Sequence, residues 1–216
     1  MTQADIFIDQ NANKTFTLQI NQLTNPGFPW DAISNPYLPI DITNCTFEFN
    51  AGPNYVDPPW ITASSALGSI KNISPTTGAA AMYLVPADTA SLDFGSDPSV
   101  GELDGVYDIY MTNNTGPIVG YSNTNGSGYN NGIYNNVPMY GGAGTGAQAR
   151  LTVSGGGVSA YLTVAGNGYV AGDVLTTPAG FDGVGAGVGF SLIVTSITST
   201  VTRIFYGAFT VNREVE

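Results

Sequence analysis

The sequence has no histidine, one cysteine (Cys45) and only five cationic side chains in 216 residues. Without histidine there can be no Ser-His-Asp triad, no Cys-His dyad and no His-bearing zinc site. A single cysteine cannot close a disulfide within the chain. Five cations against sixteen acids, a net charge of −11, cannot neutralise many phosphates, so nucleic acid is not an expected partner. Apolar runs are short. The longest, such as Gly187–Val194, fall far below the roughly 18 residues of a membrane-spanning helix, and no membrane association is expected. The first residues, Met1-Thr-Gln-Ala-Asp-Ile6, lack the cationic start and apolar stretch of a secretory signal, so cytoplasmic synthesis is the expectation.

Long helical stripes are also missing. Gly, Pro, Asn, Thr and Ser interrupt every stretch before three helical turns can form. What is present is period-two alternation. Phe16, Leu18 and Ile20 share one face of a strand, with Thr15, Thr17 and Gln19 opposite. Cys45, Phe47 and Phe49 alternate with Thr46 and Glu48 in the same way. Ala81–Val85, Val106–Thr112 and Thr202–Val211 are short runs rich in apolar, aromatic or β-branched residues. Bounded by turn residues, these read as half-buried strands of an all-β sandwich. One helical turn is expected at Pro86–Leu92, with Asp88 or Thr89 as its cap.

Composition changes sharply along the chain. Residues 123–198 hold 18 of the 28 glycines but only three charges: Arg150, Asp173 and Asp182. Strands are expected there at Ala147–Val153, Val158–Val164, Asp173–Thr177 and Val188–Val194. Gly155–Gly157, Gly166–Gly168 and Gly183–Gly187 would supply turns. The stretch Asn123–Gly146 is the least regular and reads as a loop. Because aromatic strand patterning resumes at 202–211, 123–198 reads as a glycine-rich β-module inserted at a loop tip. The outer domain is then discontinuous, 1–122 plus 199–216.

Several groups invite a chemical reading. Asp93, Asp97, Glu102 and Asp104 crowd the segment 93–104, but their spacing does not match a calcium loop, and a solvated acidic loop is expected. Glu48 and Asp108 are outward-facing carboxylates of the kind used in glycoside hydrolysis. With sixteen acids such pairs arise by chance, so no catalytic residue, metal or cofactor is assigned and the chain is not expected to be an enzyme. The glycine runs precede no helix and carry no Gly-Lys-Ser/Thr, which argues against a phosphate loop. Cys45, on an apolar face, reads as a buried thiol. The Pro-rich segments 25–39 and 52–60 carry Phe28, Trp30, Tyr37, Tyr55 and Trp60. These are either interface anchors, since binding hot spots favour aromatic residues, or lids over the sandwich core. Tyr121, Tyr129, Tyr134 and Tyr140 lie among Asn, Gly and Ser, the composition of adaptable binding loops.

The flanking pieces, taken in order, resemble the N-terminal immunoglobulin-like β-sandwich domain of phage baseplate upper proteins and related tail-fibre attachment proteins. The matching stretches are Thr15–Ile20, Leu38–Phe49, Leu84–Leu92 with its Pro86-Ala-Asp-Thr89 crossover, Gly105–Tyr110 with Gly105-Val-Tyr-Asp108, and Arg203–Val211 with a central Gly207. The family has a short turn where this chain carries 76 further residues. Those residues resemble the glycine-rich β repeats of phage tail and fibre proteins, at Gly144–Ala149, Gly166–Thr176 and Gly185–Phe190. The resemblance implies an immunoglobulin-like antiparallel sandwich in a virion protein assembled in a bacterial host's cytoplasm. Its partners would be other phage structural proteins, in a homo-oligomer or symmetric assembly at the tail or baseplate. The alternatives are a head decoration protein, or a module that binds a glycan or host receptor through the Tyr/Asn-rich insert.

Overall fold

A computed structural model of the protein describes residues 2–3, 6–9, 14–23, 37–90, 92–93, 101–178 and 183–213. The strands, in chain order, are β1 (Thr2–Gln3), β2 (Ile6–Asp9), β3 (Lys14–Gln19), β4 (Asn21–Leu23), β5 (Tyr37–Pro39), β6 (Cys45–Gly52), β7 (Ile61–Ser64), β8 (Ile70–Ser74), β9 (Ala79–Leu84), β10 (Glu102–Asn113), β11 (Ile118–Ser127), β12 (Gly132–Pro138), β13 (Thr145–Ser154), β14 (Gly157–Asn167), β15 (Val174–Leu175), β16 (Val188–Ile197) and β17 (Thr200–Asn212). One helical turn, α1 (Pro86–Thr89), follows β9. The all-β architecture expected from the alternating pattern is the one found. The chain divides into two compact units, Met1–Asn113 with Val201–Glu216, and Asn114–Thr200.

In the first unit, the larger sheet runs β1-β17-β10-β6-β7, with β2 also on β17, and a second sheet runs β3-β9-β8. The inward faces of both sheets meet in one core. Phe47, Phe49 and Ala51 of β6, Tyr107 and Ile109 of β10, and Phe209 and Val211 of β17 pack with Leu18 of β3, Met82 and Leu84 of β9 and Ile70 of β8. This is a β-sandwich. Phe49 sits at the centre, 5.8 Å from the rings of both Tyr107 and Phe209. Every second residue of β6 is buried from Cys45 to Ala51, as the alternation requires. Strands β10 and β17 are neighbours although 86 residues of chain separate them, so the second unit interrupts a strand pair of the first.

The helical turn has Pro86 at its first position, where a missing N–H costs nothing. Its cap differs from the expected one. Asp88 lies inside the turn, and its carboxylate reaches back to accept the Val85 N–H at 2.7 Å. The segment 93–104 differs too. Glu102 and Asp104 lie on β10 rather than in an acidic loop, and Asp104 accepts a hydrogen bond from the Thr210 hydroxyl at 2.8 Å. Asp97 lies outside the described residues.

The second unit has two three-stranded sheets, β11-β16-β15 and β12-β13-β14, enclosing a separate core of Val137, Leu151, Tyr169, Leu175, Leu192 and other buried residues. Strands β13 and β14 form a hairpin in which Ser154 pairs with Gly157. The two residues between them, Gly155 and Gly156, both have positive φ (59° and 78°), the geometry of a type I′ turn. The stretch 123–146, read as a loop from its composition, is instead largely strand: it supplies the second half of β11 and all of β12. The polar side chains that mask its pattern are satisfied locally. Asn131 accepts the Gly156 N–H, and Asn130 donates to the Gly183 carbonyl. The unit begins before residue 123. Ile118 to Ser127 pairs with β16, and Thr198 N–H donates to the Pro117 carbonyl at 3.0 Å, so the entering and leaving segments are held together.

Candidate functional site

An open concavity lies on the outward face of the larger sheet of the first unit. The register that sends Phe49 and Ile109 inward sends their neighbours outward in cross-strand rows. Tyr110 faces Glu48, and Asp108 faces Asn50, which in turn faces Thr62 of β7. The loop between β6 and β7 rises beside these rows with Asn54, Tyr55, Asp57 and Pro59. Together they line an open groove of about 440 Å³, within the range of small-ligand sites.

Local bonds fix the shape of the groove. Asn54 Oδ1 accepts the N–H groups of Val56 and Asp57 at 2.8 and 2.9 Å, and Asn54 Nδ2 donates to Asp57 Oδ2 at 2.6 Å. Such side-chain-to-backbone turns hold a loop without regular structure. Trp60 N–H donates to the Ala51 carbonyl at 2.7 Å and returns the chain to the sheet. On the floor, Asn50 Nδ2 donates to Glu48 Oε1 at 2.8 Å. Arg203 Nη1 pairs with Asp108 Oδ1 at 3.0 Å, the Asp108 side chain being 10% exposed and the Arg203 side chain 36%. The same guanidinium lies over the Tyr55 ring at 5.7 Å and the Tyr206 ring at 4.8 Å. Arg203 thus ties the loop tip, β10 and the last strand together. Among the described residues the lining carries three carboxylates (Glu48, Asp57, Asp108) and no cation, and Asp108 is ion-paired with the adjoining Arg203.

The aromatic residues proposed as contacts from the sequence fall in different places. Tyr55 is 52% exposed at the rim of the groove. Trp60 is half-buried against the core, with its ring over Gly105: a Cβ there would lie 2.7 Å from Trp60 Cζ3 and collide with the Gly52 carbonyl. It serves as a lid on the core. Tyr37 opens β5 and pairs with Leu23. Phe28 and Trp30 lie outside the described residues. In the second unit three of the four tyrosines face inward. The Tyr121 hydroxyl accepts the Leu162 N–H at 3.0 Å. Tyr129 stacks edge-to-face on Phe190 and accepts its N–H at 3.4 Å. Tyr134 donates to the carbonyls of Asn130 or Gly183. Tyr140 is 58% exposed beside a smaller groove of about 250 Å³ lined by Met139, Gly141 and Gly144–Gln148.

No family model matches the chain, and no curated protein is significantly similar to it.

Among the described residues no three histidine, cysteine or carboxylate groups converge as a metal centre requires. No helix among them is long and apolar enough to cross a membrane. Cys45 is buried, and burial pushes its thiol above the ordinary value, with the nearby Asp41 charge adding to the rise. Such a thiol is a poor nucleophile. Asp41 is held below the usual carboxylate range by the Thr43 hydroxyl and N–H, at 2.6 and 2.9 Å. From the sequence, both the Pro-rich aromatic segments and the Tyr/Asn-rich insert are candidate contact surfaces, and Glu48, Asp108 and Tyr55 stand out separately; the structure brings these three to one groove, with Asn50, Asp57 and Tyr110 beside them. The signal available was the outward row Glu48, Asn50, Asp108 and Tyr110, and its meaning depends on register.

Proposed function

We propose that the chain is a structural component of a bacteriophage virion, at the tail or baseplate, where it docks or connects a fibre through protein–protein contacts. The first unit is read as the docking domain, immunoglobulin-like in the sense of the sequence resemblance. The carrying observation is the nesting of one β-unit within a strand pair of another, with the inserted unit's ends held together at Pro117 and Thr198. Two separately cored units give one chain two independent contact surfaces, which suits a connector. Exposed apolar side chains on the second unit, including Ile133, Tyr161 and Val188, supply contact area for neighbouring copies or other structural proteins.

The test is location. Mass spectrometry of purified particles should detect the chain, and immunogold labelling should place it at the tail. Labelling of the head would move the assignment to capsid decoration, and absence from particles would overturn both.

A further inference from the structure

We infer that the groove on β6, β7 and β10 is a saccharide-binding site for neutral or amine-bearing sugars. The inference goes beyond the virion reading and does not depend on it.

The chemistry of the lining narrows the ligand. An anionic ligand would meet Glu48 and Asp57, and the neighbouring cation, Arg203, is already paired with Asp108. A purely apolar ligand would leave the acids and amides of the floor without partners, which is costly once water is displaced. A sugar meets both conditions. Each sugar hydroxyl both donates and accepts, and the floor offers both functions side by side. Glu48 uses one oxygen on Asn50 and has a second with which to accept, while the Asn50 amide supplies carbonyl and N–H together. Hydroxyl-to-carboxylate bonds are short and charge-assisted. At the rim, the half-exposed Tyr55 ring offers an amphipathic plane for the C–H face of a pyranose, with a phenol to hydrogen-bond at its edge.

The groove is also organised before any ligand arrives. The Asn54 turn fixes the loop, and Arg203 pins Tyr55 from one side while holding Asp108 from the other. A site that need not be ordered on binding loses less affinity to ordering. Tyr110 and Thr62 extend the polar floor along the sheet, so the groove suits an oligosaccharide.

The experiment uses the full chain on a printed array of neutral oligosaccharides, amino sugars and uronic-acid polymers, with titration calorimetry on the strongest hit. Binding is expected to neutral or amino sugars and not to uronic acids. Glu48→Gln, Asn50→Ala and Tyr55→Ala should each weaken it by about tenfold or more. Tyr140→Ala, in the second unit, should leave it unchanged. All four positions are outward-facing, and circular dichroism with a thermal melt confirms that each variant folds. A polylysine peptide tests the competing occupant, a basic protein segment. Neutral-sugar affinity should differ little between about 50 and 500 mM salt, whereas polylysine binding should collapse. No retention on any sugar, retention indifferent to the three groove variants, or salt-sensitive polylysine binding alone would each overturn the inference. Particle labelling is blind to all three, so this inference and the virion reading fail separately.

Discussion

Arg203 is the residue whose loss should be felt most widely in the first unit. It is 95 positions from Asp108 in sequence, yet its guanidinium pairs with that nearly buried carboxylate and covers two tyrosine rings. Arg203→Ala leaves Asp108 without its charge partner. It should cost about 2 kcal/mol, less than the ~3–5 kcal/mol of a fully buried pair because the arginine is partly exposed. Asp108→Asn should cost less, since the stranded arginine retains its ring contacts and access to water. Urea unfolding of both variants checks this order, and an equal or reversed cost would contradict the pinning role. Cys45 carries a pH prediction. Its folded-state value is raised, so folded and unfolded chains both hold the proton below the ordinary value of 9.0 and the stabilisation is fully present there. As pH rises past that value the unfolded chain releases its proton first, and stability is lost on the way up through the folded value. Unfolding curves taken from about pH 8 to pH 10.5 should fall more steeply for the wild type than for Cys45→Ala.

At the scale of elements, both units place glycine where neighbouring main chain comes too close for a Cβ. Gly105 in β10 makes room for Trp60 to lie over the sheet. Gly126 in β11 has φ +61°, and a Cβ there would lie 2.5 Å from both the Phe190 nitrogen and the Val188 carbonyl oxygen of β16. Gly126→Ala should therefore destabilise the second unit by about 2–3 kcal/mol, through backbone strain and collision with main chain that cannot yield. Calorimetry should show a lowered transition for that unit beside an unchanged one for the first. A uniform shift of both would show that the units do not unfold separately. The strands were largely legible from sequence: β3, β6, β13, β14 and β16 lie where alternation placed them, because one face of each is buried and the other is wet. Strand β12 was not legible. Tyr134 packs inward and donates its hydroxyl to the Asn130 or Gly183 carbonyl, and Asn135 and Asn136 interrupt the alternation, so no apolar stripe marks it. The cap of α1 escaped because Asp88 sits three residues into the turn and accepts the N–H of Val85, the residue that precedes the turn and whose apolar side chain gives no capping signal.

For the whole molecule, the division of the chain governs what can be removed. A cut at 123 passes through β11 and strands Ile118, which is 5% exposed, and Tyr121, whose hydroxyl holds the Leu162 N–H. Excising 114–200 and bridging the gap with a short Gly-Ser linker should leave the first unit soluble and β-rich. Excising 123–198 should leave a sticky stub and a less soluble protein. Size-exclusion chromatography and circular dichroism of the two deletions make the comparison. If both behave alike, β11 does not belong to the second unit's fold.

Taken alone, the sequence determined the β class, the glycine-rich second unit, the tight Ser154–Gly157 hairpin, and the absence of histidine-based catalysis. These follow from composition and from periodicity over a few neighbouring residues, which are local properties. The tertiary structure alone decided which outward side chains share a groove. Glu48 and Asp108 share the floor because β6 and β10 pair in one register and not another, and a one-residue slip of either strand would turn its carboxylate into the core, while the β6–β7 loop brings Asp57 beside them. That register is set by the joint packing of Phe49, Tyr107 and Phe209, three residues spread along the chain that only the folded core brings into contact.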